Sequence, residues 1–332
     1  MVRIKITIIG TETLGVRGLS CFVDCGKHKY LIDPGVALGF TRYGLHPHPI
    51  QAAFSEMTKI RLISFWEKAT DVIITHFHGD HIPLYNANPF QFPLRAIKGL
   101  KRVHVWACNP RKGSREVERA RRISSMLKTT FVNGHKNYEE LELSYPYPHG
   151  LNKEEKVMIV KVGNFVHLSD TQLLVKSAID KACSWSPKVV FTDGPPIYRY
   201  RDRDMKRYLI KIAYKNALRL SNCADYVIID HHISRCNEGV RIIDRLRREV
   251  GDRIMTAADY MGKPRLLLES WRKTLYELFK FDKMWFINSY YTGDGEMLSL
   301  FKDIIEDIYK IFPRGITLDD YEVKKLLKDL SS

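Results

Sequence analysis

Short apolar runs alternate with longer amphipathic stretches along most of the chain. Strands are predicted where β-branched and aliphatic residues alternate with polar ones or form a brief buried run: residues 3–9, 21–25, 28–33, 72–74, 103–107, 156–162, 164–170, 189–193, 225–229 and 253–256. Residues 131–134 and 141–143 are expected to be edge strands of a second sheet. Helical spacing of apolar residues predicts helices at 49–68, 114–128, 202–220, 239–249, 263–280, 295–311 and 318–330. This alternation predicts an α/β protein.

The strand predicted at residues 72–74 ends where a polar stretch begins. Three imidazoles and a carboxylate follow within six residues, at His76, His78, Asp80 and His81. Burial without partners would leave each group's desolvation uncompensated, whereas a divalent ion compensates it. Imidazole and carboxylate suit zinc, iron or manganese. A loop that folds back can direct the first two histidines to one ion and the last two residues to a second. A chance cluster of surface histidines is the alternative, and a hexad of this kind arises rarely by accident.

This hexad, residues 76–81, resembles the signature of the metallo-β-lactamase fold, a superfamily of metal-dependent hydrolases. The chain also resembles an archaeal branch of that superfamily, which implies fold and metals without giving a substrate. The resemblance spans about residues 1–256 and implies a four-layer αβ/βα sandwich, with the site at the edge between two sheets. We expect residues 1–260 to form this core. Residues 261–332 are expected to be a helical extension packed on it, within a single structural unit.

Three further candidate residues occur in the order that the resemblance implies. Asp33 would hydrogen-bond the metal loop or an imidazole and fix its orientation, although Asp before Pro-Gly is by itself more often a turn residue. His149 would supply a third imidazole to the first ion, although a single His in a Pro-rich loop is by itself structural. Asp170 ends a predicted strand and would bridge the two ions. Its alternative role is a helix N-cap.

The predicted strand at 225–229 delivers two consecutive histidines. The resemblance implies that the last ligand of the second ion lies here. We choose His231 because it has the same offset from its strand as His76 has from residues 72–74, and His232 is the alternative.

Three other residues are candidates for lining the pocket. Asp193 ends a largely apolar strand, and α/β proteins keep their sites at the carboxyl ends of such strands. His46 and His48 lie in an irregular loop that could overhang the site, although His-Pro repeats usually serve only as loop sequence.

The resemblance implies a dinuclear hydrolase with two divalent ions, zinc first and iron or manganese as alternatives. Two ions about 3.5–4 Å apart would share a bridging water whose pKa falls toward about 7, which gives hydroxide at neutral pH. One ion would polarise the scissile carbonyl or phosphoryl oxygen while the other stabilises the leaving group. Asp80, beside this water, could accept its proton as the catalytic base.

The formal net charge of +15 is concentrated in two segments. Residues 95–128 carry a net +9 and residues 199–219 a net +6, which together account for the whole excess. Such concentration favours phosphate-rich partners, although solvated helix faces are an equal alternative. We therefore expect a phosphodiesterase acting on nucleic acid or nucleotides. The alternative is a hydrolase of small esters, lactones or thioesters. The resemblance disfavours a redox di-iron site, since such a site in this superfamily would be expected to carry Glu where His78 stands. It also disfavours an inactive binding module, which would normally have lost ligands, whereas none is missing here.

The amino-acid composition indicates the class of protein and its expected location. With 45% hydrophobic and 27% charged residues, the chain is typical of globular proteins. No apolar run reaches membrane-spanning length, and the first residues alternate like a strand, so no membrane partner and a cytoplasmic location are expected. The six cysteines lack metal-binding spacing, which favours buried thiols. Few glutamines among many charged residues suggest a thermophile, in which a cytosolic disulfide is not excluded. The sequence does not specify the oligomeric state.

Overall fold

Two mixed β-sheets packed face to face form the centre of the molecule, and helices cover their outer faces. The computed structural model describes residues 4–137, 140–288 and 291–331. The strands are β1 (Lys5–Gly10), β2 (Ser20–Asp24), β3 (Lys29–Ile32), β4 (Asp71–Ile74), β5 (His104–Cys108), β6 (Thr129–Val132), β7 (His135–Asn137), β8 (Leu141–Leu143), β9 (Tyr147–His149), β10 (Asn152–Val157), β11 (Val160–Val162), β12 (Phe165–His167), β13 (Val189–Asp193), β14 (Tyr226–Asp230) and β15 (Ile254–Met255).

The first sheet contains β1 to β6 in sequence order. Its first three strands are antiparallel, and β3 to β6 run parallel. The second sheet has the order β15-β14-β13-β12-β11-β8-β7, in which β12 to β15 are parallel. Strands β9 and β10 form a separate antiparallel ribbon.

The helices lie between strands and at the C-terminal end. They are α1 (Pro49–Lys68), α2 (Arg115–Ser124), α3 (Lys176–Ser184), α4 (Arg203–Cys223), α5 (Asn237–Val250), α6 (Ala257–Tyr260), α7 (Arg272–Leu278), α8 (Trp285–Asn288), α9 (Glu296–Leu300), α10 (Lys302–Ile311) and α11 (Asp320–Ser331). No helix within the described residues is both long enough and apolar enough to span a bilayer.

The alternation of side chains along the strands produces four layers. In β4, Ile73 enters the core between the two sheets, whereas Val72 and Ile74 join the core beneath α1. In β14, Ile228 faces the core between the sheets, and its neighbour Ile229 packs with residues of α3, α4 and α5. Both faces of these strands are therefore buried, as their continuous apolar runs require. The predicted four-layer αβ/βα sandwich is confirmed.

The C-terminal helices pack on the first sheet's side of the molecule. Leu268, Trp271, Ile308 and Leu327 are buried in the same apolar cluster as α1. The division of the chain at residue 260 stays a prediction.

The predicted helix over 263–280 is wrong in its first half. Only α7, Arg272–Leu278, is helical there. The preceding segment is extended because Leu266 pairs with the loop after β1, where its N–H donates to the Thr13 carbonyl. The helix predicted over 295–311 is likewise two helices, α9 and α10, which meet at the buried Phe301. In both places tertiary packing overrides local helical spacing.

Two other expectations need correction. The strand predicted at 131–134 belongs to the first sheet, because α2 carries the chain over to a parallel pairing of β6 with β5. Two cysteines form a disulfide, Cys183–Cys223, which joins α3 to α4. Cys21, Cys25 and Cys108 are buried free thiols, as expected.

Candidate metal centre

Seven of the predicted ligands converge at one edge of the sandwich, where strands of both sheets end. The loop after β4 contributes His76, His78, Asp80 and His81. The other candidate ligands are His149 at the end of β9, Asp170 after β12 and His231 after β14. Parallel strands place their carboxyl ends together, so residues distant in the sequence meet here.

The carboxylate of Asp170 lies at the middle of this cluster. Its Oδ2 atom is 3.2–4.0 Å from five imidazole Nε2 atoms, which belong to His76, His81, His149, His231 and His232. His78 is a sixth imidazole, and it shares one candidate ligand group with His76, His149 and Asp170.

The second ligand group adjoins the first. His81 Nε2 lies 3.4 Å from His231 Nε2, and Asp80 Oδ2 lies 3.8 Å from the same His231 atom. The donor atoms of these three residues lie within 4.8 Å of one another. Because Asp170 Oδ2 is 3.3 Å from His81 Nε2 and 3.4 Å from His76 Nε2, it adjoins both groups.

Two buried atoms of the cluster have no hydrogen-bond partner among the described residues. They are His76 Nε2 and Asp170 Oδ1. Orphaned buried polar atoms are rare in native structures and call for an explanation. A divalent cation supplies one, since imidazole nitrogens and carboxylate oxygens are its usual ligands. The cluster could therefore hold divalent metal ions.

Asp33 supports the loop that carries the hexad. Its Oδ1 accepts the Thr75 N–H at 2.8 Å, and its Oδ2 accepts the Thr75 hydroxyl at 2.7 Å and His81 Nδ1–H at 3.0 Å. The last contact leaves His81 Nε2 free to face the cluster. Gly35 allows this proximity, because a Cβ atom there would lie 2.3 Å from the backbone of His81. The resemblance implied contacts of this kind for Asp33, and its part in orienting a metal ligand stays a prediction.

The ring of His231 is oriented from its other side by Glu12. The imidazole Nδ1–H donates to Glu12 Oε2 at 2.8 Å, and the other carboxylate oxygen accepts Arg235 Nε–H at 2.6 Å. Arg235 in turn donates to Asp80 Oδ2 at 3.1 Å. His231 has a left-handed backbone (φ 62°), which is strained for a residue other than glycine. This arrangement holds both His231 and Asp80.

His232 is oriented in a similar way by the predicted pocket residue Asp193. Its Nδ1–H donates to Asp193 Oδ2 at 2.8 Å, and its Nε2 lies 4.0 Å from Asp170 Oδ2. Both consecutive histidines therefore face the cluster, and His231 is the one that lies close to Asp80.

The electrostatics of the cluster favour bound positive charge. Burial would raise the pKa of Asp170, but the imidazoles of His81, His231 and His232 hold it well below its ordinary value. Burial would lower the pKa of His231, but the charges of Glu12 and Asp170 raise it to about 10. Positive charge on the neighbouring imidazoles therefore stabilises the buried Asp170 carboxylate.

The cluster opens into two adjoining cavities that share His78 and Glu155 as lining residues. The larger has a volume of about 410 Å³, and Arg17, Arg199 and Arg235 contribute to its lining. The smaller, about 230 Å³, is lined by Arg111, Arg115 and Arg119 around the start of α2. Parts of both basic segments of the sequence therefore lie beside the candidate ligands.

Comparison with known proteins identifies the family. No protein-family model matches the chain. A UPF0282 protein of Methanosarcina mazei is 36% identical over 297 residues, which cover 85% of this chain and 94% of the relative. The chain belongs to the UPF0282 family. UPF0282 proteins of Pyrococcus furiosus and Korarchaeum cryptofilum are each 30% identical, over 83% and 84% of this chain and 93% and 96% of their own lengths.

Two solved structures show weaker likeness to the UPF0282 chain. A diphosphatase from the PhnP family matches with a TM-score of 0.42 and 15% identity, over 69% of this chain and 87% of that one. Unliganded yeast PDE1 matches with a TM-score of 0.39 and 12% identity, over 77% and 97%. At this level of similarity neither structure informs the function of the UPF0282 chain.

The two remaining pocket candidates of this UPF0282 protein line neither cavity. His48 is fully buried and caps α1, where its Nδ1 accepts the Ile50 N–H and its Nε2–H donates to the Phe279 carbonyl. His46 donates to the Phe40 carbonyl and packs on aromatic rings.

Sequence reasoning missed Glu12, Arg235 and Gln172. Glu12 lies in a glycine-containing loop, where a single acidic residue carries no signal. Arg235 follows His231 by four residues, and this spacing is equally common on solvent-facing helices. Gln172, two residues after Asp170, lies with its Nε2 3.3 Å from His149 Nδ1. Closeness in sequence to a predicted ligand could have indicated only Arg235 and Gln172.

Proposed function

We propose that this UPF0282 protein is a metal-dependent phosphodiesterase that holds two divalent cations and acts on nucleic acid or nucleotides. The observation that carries the proposal is the packing of five imidazole Nε2 atoms around the single oxygen Asp170 Oδ2. Five such nitrogens cannot all hold protons against one carboxylate at low cost, whereas bound cations would satisfy them together.

The ligand sets follow from the two groups described above. His76, His78 and His149 would hold the first ion, Asp80, His81 and His231 would hold the second, and Asp170 would serve both. When bound, zinc or another divalent cation lowers the pKa of a water molecule and polarises a phosphoryl oxygen.

The chain's own residues keep these ligands in position. Asp33 holds Nδ1 of His81, and Glu12 holds Nδ1 of His231, so that Nε2 of each ring would be available to bind an ion. Arg235 orients Asp80. The role of Asp80 as proton acceptor stays a prediction.

The choice of a phosphodiester rests on the cations beside the ligands. Within the described residues, neither Arg115 nor Arg199 forms an ion pair. Arg115 is exposed in the smaller cavity and Arg199 in the larger one. Guanidinium groups match phosphate oxygens in geometry and charge. An uncharged ester, lactone or thioester gives such side chains no partner, so this alternative is disfavoured.

The test is to purify the protein without added metal, measure its metal content, and assay a substrate panel. Bis(4-nitrophenyl) phosphate, a dinucleotide and a single-stranded RNA should be compared with 4-nitrophenyl acetate, a lactone and a thioester. We expect the protein to hydrolyse the diesters. A chelator should abolish this activity, added divalent metal should restore it, and the His76→Ala variant should lack it. Hydrolysis of the esters alone would refute the proposal.

Matched variants test the role of the arginines. Arg115→Gln and Arg199→Gln should each raise KM for a nucleic acid diester about tenfold, as expected for a lost charge-assisted phosphate contact. Arg121→Gln and Arg207→Gln lie in the same basic segments and line neither cavity. These control variants should leave KM unchanged.

A further inference from the structure

A third cavity lies against α1 and shares no lining residue with the two cavities at the metal centre. Its volume is about 530 Å³, and it is enclosed by α1, by the segment 87–96 and by residues 291–295. This size falls within the range of small-molecule sites, about 300–1,000 Å³.

A buried lysine forms part of its wall. Lys59 is only 7% exposed, and within the described part of the chain its ammonium donates one hydrogen bond, to the Pro89 carbonyl at 2.6 Å. An ammonium group has three N–H donors, so two remain for a ligand. Burial lowers the pKa of Lys59 to about 8 and outweighs the attraction of Glu56 and Asp294. The surrounding charges therefore compensate this ammonium only in part.

The acidic group nearest to Lys59 on α1 is already satisfied. Glu56 is 1% exposed, and its carboxylate accepts the Tyr291 hydroxyl and the Leu298 N–H. Asp294 is exposed at the rim. Arg95, also exposed, contributes a second cation to the lining.

The wall around Lys59 is preformed by backbone contacts. Phe92 exchanges hydrogen bonds with Leu84 and Val36, and the Phe90 carbonyl accepts the Leu38 N–H. Gly293, with φ +75°, allows the chain to pass close to the lysine, since a Cβ atom there would lie 3.4 Å from Lys59 Nζ and 3.1 Å from the Pro89 carbonyl oxygen. A preformed site loses little entropy when a ligand binds.

We propose that this cavity is a second ligand site, which binds a small anionic molecule through a phosphate or carboxylate group placed on Lys59. Arg95 gives that group a second cationic neighbour, and Asn88 offers a neutral amide. Ile63 and Pro93 supply apolar surface for the rest of the ligand. The proposal does not depend on the chemistry of the metal centre.

The test uses two aromatic anions, phenylphosphonate and phenylacetate, which match the mixed lining and resist hydrolysis. Each is titrated by calorimetry at constant ionic strength into the metal-loaded protein and into Lys59→Met. We expect at least one of them to occupy a site that is tenfold or more weaker in Lys59→Met and is retained in Lys59→Arg. Binding of phenylphosphonate alone indicates a phosphate ligand, and binding of phenylacetate alone indicates a carboxylate.

Two further variants keep the result decisive. His76→Ala removes a candidate ligand of the metal centre and should leave anion binding at the Lys59 site unchanged. Loss of that binding in His76→Ala would overturn the proposal. Arg95→Gln changes an exposed residue and tests the proposal if Lys59→Met fails to fold. Anion binding at least threefold weaker than in the wild type supports the site, and unchanged binding refutes it. Failure of both anions to bind the wild-type protein also overturns the proposal.

Discussion

The Nδ1 atom of His231 lies 2.8 Å from the carboxylate of Glu12, although 219 residues separate the two in the sequence. The same carboxylate accepts Arg235 Nε–H, and Arg235 reaches Asp80. One buried glutamate at the start of the chain thus fixes two candidate ligands of the second ion. Its position links the first loop of the protein to the end of β14.

Glu12→Gln should weaken metal binding at the second ion's site by about 10–100-fold, the usual effect of removing a group that orients a ligand. The amide keeps the shape of the side chain but removes the charge that attracts the imidazole N–H. Metal affinity can be measured by competition with a chromogenic chelator. Glu306→Gln, an exposed substitution on α10, is the control. Equal affinity in wild type and Glu12→Gln would show that the contact has no role in metal binding.

Asp33→Asn should lower the free energy of unfolding of the metal-free protein by about 1–3 kcal/mol, the cost of leaving buried donors unsatisfied. Asp33 accepts three donors from Thr75 and His81, and an amide has only one oxygen to offer. Urea denaturation measures the change. Asp307→Asn, in an exposed ion pair with Lys310, should change stability by less than about 1 kcal/mol.

His48 should make the protein less stable as pH falls through the mildly acidic range. Burial lowers the pKa of His48 to about 4, below the ordinary imidazole pKa of about 6.5, so the unfolded chain binds this proton first. Protonation would place a hydrogen on Nδ1, which now accepts the Ile50 N–H. Stability is therefore intact above pH 6.5, falls as pH decreases below it, and has lost about 3 kcal/mol near pH 4.

His48→Asn tests this pH dependence, because Asn can also cap a helix N-terminus. Between pH 7 and pH 4, the wild type should lose about 3 kcal/mol more free energy of unfolding than the variant does. His46→Asn, in the same loop, should follow the wild-type profile. Parallel profiles for wild type and His48→Asn would contradict the prediction.

The sequence predicted the part of the site that is local. The hexad comes directly after one buried strand, and the resemblance implied Asp170 and His231 at the ends of two further strands. The candidate ligands and the sheet edge could therefore be predicted together. The role of Glu12 could not be predicted, because its partners are far away in the sequence and the residues around it follow no pattern. The segment around Leu266 has helical spacing, yet it pairs with the loop after β1, and no local signal reveals that partner.

The disulfide between Cys183 and Cys223 should contribute about 2–4 kcal/mol to stability, because it closes a loop of 40 residues in the unfolded chain. Replacing both cysteines by serine should lower the melting temperature by several degrees, and a reductant should lower that of the wild type to the same value. Cys236→Ser, which removes a free cysteine, is the control. Thiol titration of the denatured, non-reduced protein should count four reactive cysteines of the six in the chain. A count of six, with no response of the melting temperature to reductant, would show that the bond does not form.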